Sequence, residues 1–167
     1  MNMKRKVFVL LILFLIINVN LIWSQDFSGY RAVSMDWIDD FINGNIERTG
    51  RGGITIYDQY QNFFVEINFN QHPVPIEDEI MRRLILLFSD QRGYSQSHGR
   101  DFFINLFGHY YSYKYKDKDY IFFFQNSLVD PIKRDVQLGK NVNLYIMLGM
   151  YEGPENTVYS FVNAFKP

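Results

Sequence analysis

The stretch SHGRD places His98 three residues before Asp101, and this pair is the one in the chain most suggestive of acid–base chemistry. A carboxylate at that spacing can orient an imidazole, which can then remove a proton from a nucleophile or from water. No G-x-S-x-G motif supplies the nucleophile of a serine hydrolase. His98 and Asp101 are therefore an alternative catalytic pair, in a polar loop whose simpler interpretation is solvent exposure.

Three carboxylates, those of Asp36, Asp39 and Asp40, lie close together in a second segment. Paired carboxylates perform acid–base catalysis in glycosidases and bind calcium in D-x-D-x-D-G loops. This segment has no such loop, and its periodicity is that of a short helix. We therefore interpret the three acids as the solvated side of that helix, and they are candidates only under an enzyme hypothesis.

The histidines and cysteines give little support to metal or cofactor chemistry. His72, His98 and His109 show no H-x-x-x-H or similar ligand spacing. The chain has no cysteine, which removes thiolate ligands and thiol nucleophiles together. The sequence therefore predicts no metal site and no cofactor.

Aromatic residues crowd the stretch 108–126, GHYYSYKYKDKDYIFFFQN. Folding it about Asp117 and Lys118 gives a β-hairpin in which Tyr115 lies opposite Tyr120. Side chains alternate between the two faces of a strand, so one face carries six rings and is predicted to be core beneath the main helix, within residues 72–93. The six rings are those of Tyr111, Tyr113, Tyr115, Tyr120, Phe122 and Phe124.

The opposite face of the hairpin mixes charged, polar and aromatic side chains. Tyr110, Lys114 and Phe123 lie on it, and aromatic side chains there offer large contact areas at a low entropic cost. We predict that these three residues contact a ligand. The prediction depends on the turn, because a slip of one residue would exchange the two faces.

Residues 1–24 have the anatomy of a secretory signal peptide. Basic residues at 4–6 precede an unbroken apolar run at 7–17, and Ser24 is a small residue at a suitable cleavage point. The alternative is an uncleaved membrane anchor over 7–23, at the short limit for a span of about 20 residues. Either way the folded part is predicted to be extracytoplasmic, in the periplasm, in the cell envelope or secreted.

Residues 25–167 are predicted to form a single globular domain of ordinary size. They carry fourteen basic and eighteen acidic residues, a formal charge of −4. A mildly acidic surface has no general attraction for phosphate backbones, so no nucleic-acid partner is expected. Membrane contact is expected only through residues 7–23, and only where they are not cleaved. Without disulfides, packing must hold the domain together.

Hydrophobic periodicity predicts two helices and several short strands. Residues 34–43 predict a short helix that Ser34 caps and Gly44 ends, and residues 72–93 contain the main amphipathic helix. Residues 63–70 alternate apolar and polar side chains, as a half-buried strand does. We predict an α+β domain: a curled antiparallel sheet or small β-barrel of about six or seven strands, covered by one main helix, with a short N-terminal helix.

These observations favour an exported, non-enzymatic domain that binds an envelope or extracellular protein, or another envelope component. Two alternatives stay open. One is a small extracytoplasmic hydrolase or glycan-active enzyme, which requires His98, Asp101 and a second acid to meet in one cleft. The other is a β-barrel that binds a small ligand or glycan through surface aromatics, and binding of this kind requires at least three rings exposed together.

Overall fold

The computed structural model describes residues 29–49, 54–56, 62–92, 105–153 and 155–167, so the predicted signal segment lies outside it. The described part contains three helices and eight strands. The helices are α1 (Met35–Thr49), α2 (Asp78–Arg92) and α3 (Asn126–Asp135). The strands are β1 (Arg31–Val33), β2 (Ile54–Ile56), β3 (Asn62–Asn68), β4 (Val74–Pro75), β5 (Phe107–Tyr115), β6 (Lys118–Gln125), β7 (Asn141–Glu152) and β8 (Thr157–Lys166).

The strands form one open sheet in the order β1-β3-β7-β8-β6-β5-β4, and β2 pairs with the end of β7 beyond β3. The α+β class is confirmed, whereas closure into a barrel is wrong because β1 and β4 lie at opposite edges. The purely antiparallel arrangement is also wrong, since β1 runs parallel to β3 and β6 runs parallel to β8. The second parallel pair arises because the chain passes through α3 and β7 before β8 returns beside β6.

Helices cover both faces of the sheet, so the prediction of one covering helix is too simple. α1 and α3 pack on the face that carries the six rings of the hairpin, and α2 packs on the opposite face. The main helix was predicted to cover the six rings, and this prediction is therefore wrong, because that helix is α2. The helical residues buried on the six-ring face are Met35, Ile38, Ile42, Val129 and Ile132, and those on the opposite face are Met81, Leu84 and Ile85.

The N-terminal helix begins as predicted and ends later. The Ser34 hydroxyl accepts a hydrogen bond from the Trp37 backbone N–H at 3.1 Å, which confirms the cap. α1 then continues through Gly44 to Thr49. A glycine inside a helix costs only about 1 kcal/mol relative to alanine, and burial of the apolar side of α1 outweighs that cost.

A helix occupies a segment in which the Asp130-Pro131 step predicts a loop. Pro131 lies inside α3, where it cannot donate the usual backbone hydrogen bond. Val129 and Ile132 are nevertheless buried against the sheet, three residues apart on one side of the helix. Tertiary packing therefore overrides the local preference.

Candidate functional site

The turn of the β5–β6 hairpin lies one residue earlier than the sequence predicted. Lys116 and Asp117 form the turn, with Lys116 at a positive φ of 52°. Tyr115 consequently pairs with Lys118, and Tyr113 pairs with Tyr120. The predicted pairing is wrong by two residues, but a shift of two leaves every side chain on its predicted face.

Gly108 forms a bulge in β5. Phe107 pairs with Gln125 while His109 pairs with Phe124, so Gly108 has no partner of its own in the register. Its backbone N–H donates to the Asn126 Oδ1 atom at 2.7 Å, and a Cβ at this position would collide with that atom. The bulge thereby joins β5 to the first residue of α3.

The three predicted ligand-contacting residues lie on one face of the hairpin but differ sharply in exposure. Phe123 is 0% exposed and Tyr110 is 8% exposed, since both pack in the core beneath α2. The Tyr110 hydroxyl donates to the Glu77 Oε1 atom at 3.0 Å. Lys114 has a 63% exposed side chain, and its Nζ atom lies 3.3 Å from an oxygen of Asp119. Ligand contact by these residues stays a prediction, and of the three only Lys114 offers its side chain to solvent.

An open groove of about 480 Å³ lies on the same face of the hairpin, between α2 and the sheet. The α2 side contributes charged residues, and the sheet contributes a floor that is partly apolar. The lining residues are Glu77, Glu79, Ile80 and Arg83 on the α2 side, and Ser112, Asp119, Ile121, Glu155, Thr157 and Tyr159 on the sheet side.

The groove is acidic, because four carboxylates and one guanidinium line it, a net charge of −3. The guanidinium of Arg83 lies 3.0 Å from the Glu155 carboxylate and 3.9 Å from that of Glu152. Hydrogen bonding to Glu155 raises the pKa of Arg83 above its ordinary value. The Tyr159 hydroxyl donates to Glu152 at 2.8 Å, and burial followed by this bond raises the pKa of that tyrosine. These contacts hold the groove's polar groups in fixed positions.

A buried charge cluster lies at the other face of the sheet, where α1 meets the β5–β6 hairpin. The Lys118 Nζ atom lies 2.8 Å from the Asp39 Oδ1 atom, and each side chain is only 4% exposed. The Tyr120 hydroxyl donates to the same oxygen at 3.3 Å. Lys116 contacts the Asp39 Oδ2 atom at 3.1 Å and also Asp36, at 2.9 Å. The interpretation of Asp39 as solvated is therefore wrong, while Asp36 is exposed as expected.

Hydrogen bonding from lysine decides the ionisation of Asp39. Burial alone would raise the pKa of this carboxyl, but hydrogen bonds from Lys118 and Lys116 outweigh it, and the pKa is lowered. The pKa of Tyr120 is raised, first by burial and then by the negative charge of Asp39. Asp39 is thus an ionised carboxylate at neutral pH, and its neighbour Tyr120 keeps its proton.

His98 and Asp101, the alternative catalytic pair, lie outside the described residues, so their role stays a prediction. Asp39 is held by two lysines, and Asp40 is exposed on α1. His109 lies on β5, and its buried Nδ1 atom has no hydrogen-bond partner. Burial, and then the charge of Lys133, lower the pKa of His109.

Three aromatic rings meet on a half-buried part of the sheet, on its α2 side. Phe64 pairs with Tyr145 across β3 and β7, with ring centroids 5.6 Å apart, and Tyr30 meets Tyr145 edge-on at 5.3 Å. Asn163 donates from Nδ2 to the Tyr30 hydroxyl at 3.0 Å and accepts from Gln125 at 3.2 Å. Rings and planar amides are therefore adjacent here.

Among the described residues, no group of three or more histidine and acidic side chains could hold a metal ion. No described helix has the length and apolar character to span a membrane. Comparison with known proteins found no matching family model, no matching curated protein and no matching solved structure.

The buried partnership of Asp39 and Lys118 is the feature that sequence reasoning missed. Met35, Ile38 and Ile42 lie four residues before, one before and three after Asp39, which places its carboxylate on the apolar side of α1. Lys118 shares its face of β6 with the ring of Tyr120. The signal in the sequence was a charged residue on the apolar face of each element, Asp39 on α1 and Lys118 on β6, because a buried charge requires a partner of opposite sign.

Proposed function

We propose that this protein is an exported, non-enzymatic domain that binds a protein or another component of the cell envelope through the acidic groove between α2 and the sheet. The observation that carries the proposal is the groove itself, which lies on the hairpin face that was predicted from the sequence to contact a ligand. Its negative lining suits a partner segment that presents lysine or arginine side chains.

The apolar and aromatic part of the groove supports this function further. Ile80, Ile121 and Tyr159 form surfaces against which the aliphatic stems of lysine and arginine can pack. Tyr159 and Arg83 are held by Glu152 and Glu155, so these side chains lose little conformational entropy when a partner binds. Recognition would combine charge attraction at the rim with packing on the floor.

Titration of a short synthetic peptide of alternating lysine and glycine into the purified protein tests the proposal. Calorimetry should detect binding that weakens as salt is added. Glu79→Lys should raise the Kd about tenfold, which corresponds to about 1.4 kcal/mol. Asp40→Lys makes the same charge change on α1, across the sheet from the groove, and should leave the Kd nearly unchanged. Equal effects of the two variants, or no binding at low salt, would refute the groove as the binding site.

Glycan binding is the second candidate function, favoured by the contact of Tyr30, Phe64 and Tyr145 beside the amides of Asn163 and Gln125. Sugar rings present polarised C–H groups that pack on aromatic faces, and hydroxyls that pair with amides. Titration with a neutral chito-oligosaccharide distinguishes this function from the first. Tyr145→Ala should abolish glycan binding and leave peptide binding in the groove intact.

A further inference from the structure

The charge cluster between α1 and β6 holds an amine and a carboxyl group in direct contact. The Lys118 Nζ atom lies 2.8 Å from the Asp39 Oδ1 atom, and the carboxyl carbon Cγ is one covalent bond beyond that oxygen. Both side chains are 4% exposed, so the pair is largely shielded from solvent. An amine and a carboxyl held together in a dry site have an effective concentration far above any reached in solution.

We propose that Lys118 and Asp39 join covalently, through an amide bond between Nζ of the lysine and Cγ of the aspartate. The bond would tie α1 to β6 in a chain that has no cysteine with which to form a disulfide. It is a modification of the fold and is independent of the binding function proposed above.

The reaction balances without a cofactor or an external reagent. The step begins from the neutral pair, which forms when a proton passes from the Lys118 ammonium to the Asp39 carboxylate along their 2.8 Å contact. The amine lone pair then attacks Cγ, so that the N–C bond forms and the bond from Cγ to Oδ1 breaks. Oδ1 leaves as water and carries away two of the three protons of the original ammonium. No atom is oxidised or reduced.

Neighbouring side chains are placed to assist each part of this step. The Lys116 ammonium lies 3.1 Å from the Asp39 Oδ2 atom, and Asn43 donates to that oxygen at 3.4 Å. These two donors would stabilise the negative charge that develops on Oδ2 during attack. The Tyr120 hydroxyl donates a hydrogen bond to Oδ1 at 3.3 Å and so holds the departing oxygen in position.

Exposure selects Lys118 over Lys116 as the nucleophile. Each lysine contacts a second carboxylate, Lys116 that of Asp36 at 2.9 Å and Lys118 that of Asp117 at 3.4 Å. The Lys116 side chain is nevertheless 45% exposed, whereas that of Lys118 is 4% exposed. Hydrogen bonding to Asp36 and Asp39 also raises the pKa of Lys116. The Lys118 side chain is shielded from water by comparison, and its Nζ atom lies 2.8 Å from the Asp39 carboxylate.

Intact-mass spectrometry of the full-length protein, expressed and purified in its native form, tests the proposal. The wild-type mass should be lower by one water molecule than the mass calculated from the residues that terminal sequencing shows to be present. Lys118→Arg keeps the positive charge but cannot form this amide, and should have the full calculated mass. Lys114→Arg, the matched control, lies on the opposite face of the same hairpin and should retain the loss of one water.

Peptide mapping of the same samples locates the bond. Proteolysis of the wild type should release residues 39 and 118 in one branched peptide. A wild-type protein of full calculated mass, with Asp39 and Lys118 recovered in separate unmodified peptides, would overturn the proposal. Loss of water that persists in Lys118→Arg would overturn it as well, since the linkage would then lie elsewhere.

Discussion

Asp36 and Asp39 lie three residues apart on one helix, yet burial gives them very different energetic roles. Asp39 is buried with Lys118, whereas Asp36 meets Lys116 at the surface. An exposed ion pair contributes at most about 1 kcal/mol, while removal of one partner of a buried pair leaves an uncompensated charge and costs about 3–5 kcal/mol. Asp36 therefore serves as a control for Asp39, since the two residues are of the same type, lie on the same helix and differ in burial.

We expect Asp39→Ala to lower the free energy of unfolding by about 3 kcal/mol or more, because it strands the Lys118 ammonium in the core. Asp36→Ala should lower it far less, even including its effect on the N-terminal dipole of α1, because solvent screens the exposed pair with Lys116. Urea denaturation followed by circular dichroism measures both. Equal losses for the two variants would show that Asp39 is solvated in the folded protein.

His109 should make the protein less stable as the pH falls. Burial and Lys133 lower its folded-state pKa below the ordinary value of 6.5. The unfolded chain therefore takes up a proton below about pH 6.5, which the folded protein resists. This contribution is fully present above pH 6.5 and is lost as the pH falls from there through the folded-state pKa.

Urea denaturation at pH 7.5 and at pH 5.5 measures this effect. His109→Gln should reduce the difference in the free energy of unfolding between the two pH values. Lys133→Gln should reduce it too, since it removes a positive charge that opposes protonation of His109, whereas Asp130, on the same helix, favours protonation. An unchanged pH dependence in both variants would contradict the assignment.

At the scale of the elements, the hairpin shows what periodicity can and cannot predict. The two faces of β5 and β6 were predicted correctly although the register was wrong by two residues, because side chains repeat every two residues along a strand. The helix over the six rings was predicted wrongly, since an apolar stripe tells which residues are buried and not which surface buries them. The order of the elements along the chain does not tell which face of the sheet a helix covers either. Both α2 and α3 flank the hairpin in sequence, yet they pack on opposite faces of the sheet.

Phe122 and Lys114 test the assignment of the hairpin faces directly. Phe122 is fully buried beneath α1 and α3, and replacement by alanine should cost about 3–5 kcal/mol. Lys114→Ala removes an exposed contact with Asp119 and should cost less than about 1 kcal/mol. Thermal unfolding of the two variants compares them. Similar midpoints would mean that the hairpin faces are exchanged.

At the scale of the whole molecule, one sheet carries a separate apolar core on each face. The six-ring core and the α2 core share the strands β5, β6, β7 and β8, whose successive side chains point into one core and then the other. Sequence alternation predicted the strands. It could not predict two cores, because the residues that complete the first one, in α3, were interpreted as a loop. The candidate groove escaped prediction for a similar reason, since it exists only where α2 crosses the sheet.

Shared strands should make the two cores unfold together. Leu84 is fully buried in the α2 core, and Trp37 packs against the opposite core, with its ring centroid 5.1 Å from that of Phe63. Leu84→Ala should lower the free energy of unfolding by about 2–5 kcal/mol. It should move the Trp37 fluorescence transition and the circular-dichroism transition by the same amount of urea, as expected of a two-state domain.

The experiment uses a Trp23→Phe background, so that Trp37 is the sole tryptophan. A Trp37 transition that stays at its original urea concentration while the circular dichroism shifts would mean that each face of the sheet folds with its own helices.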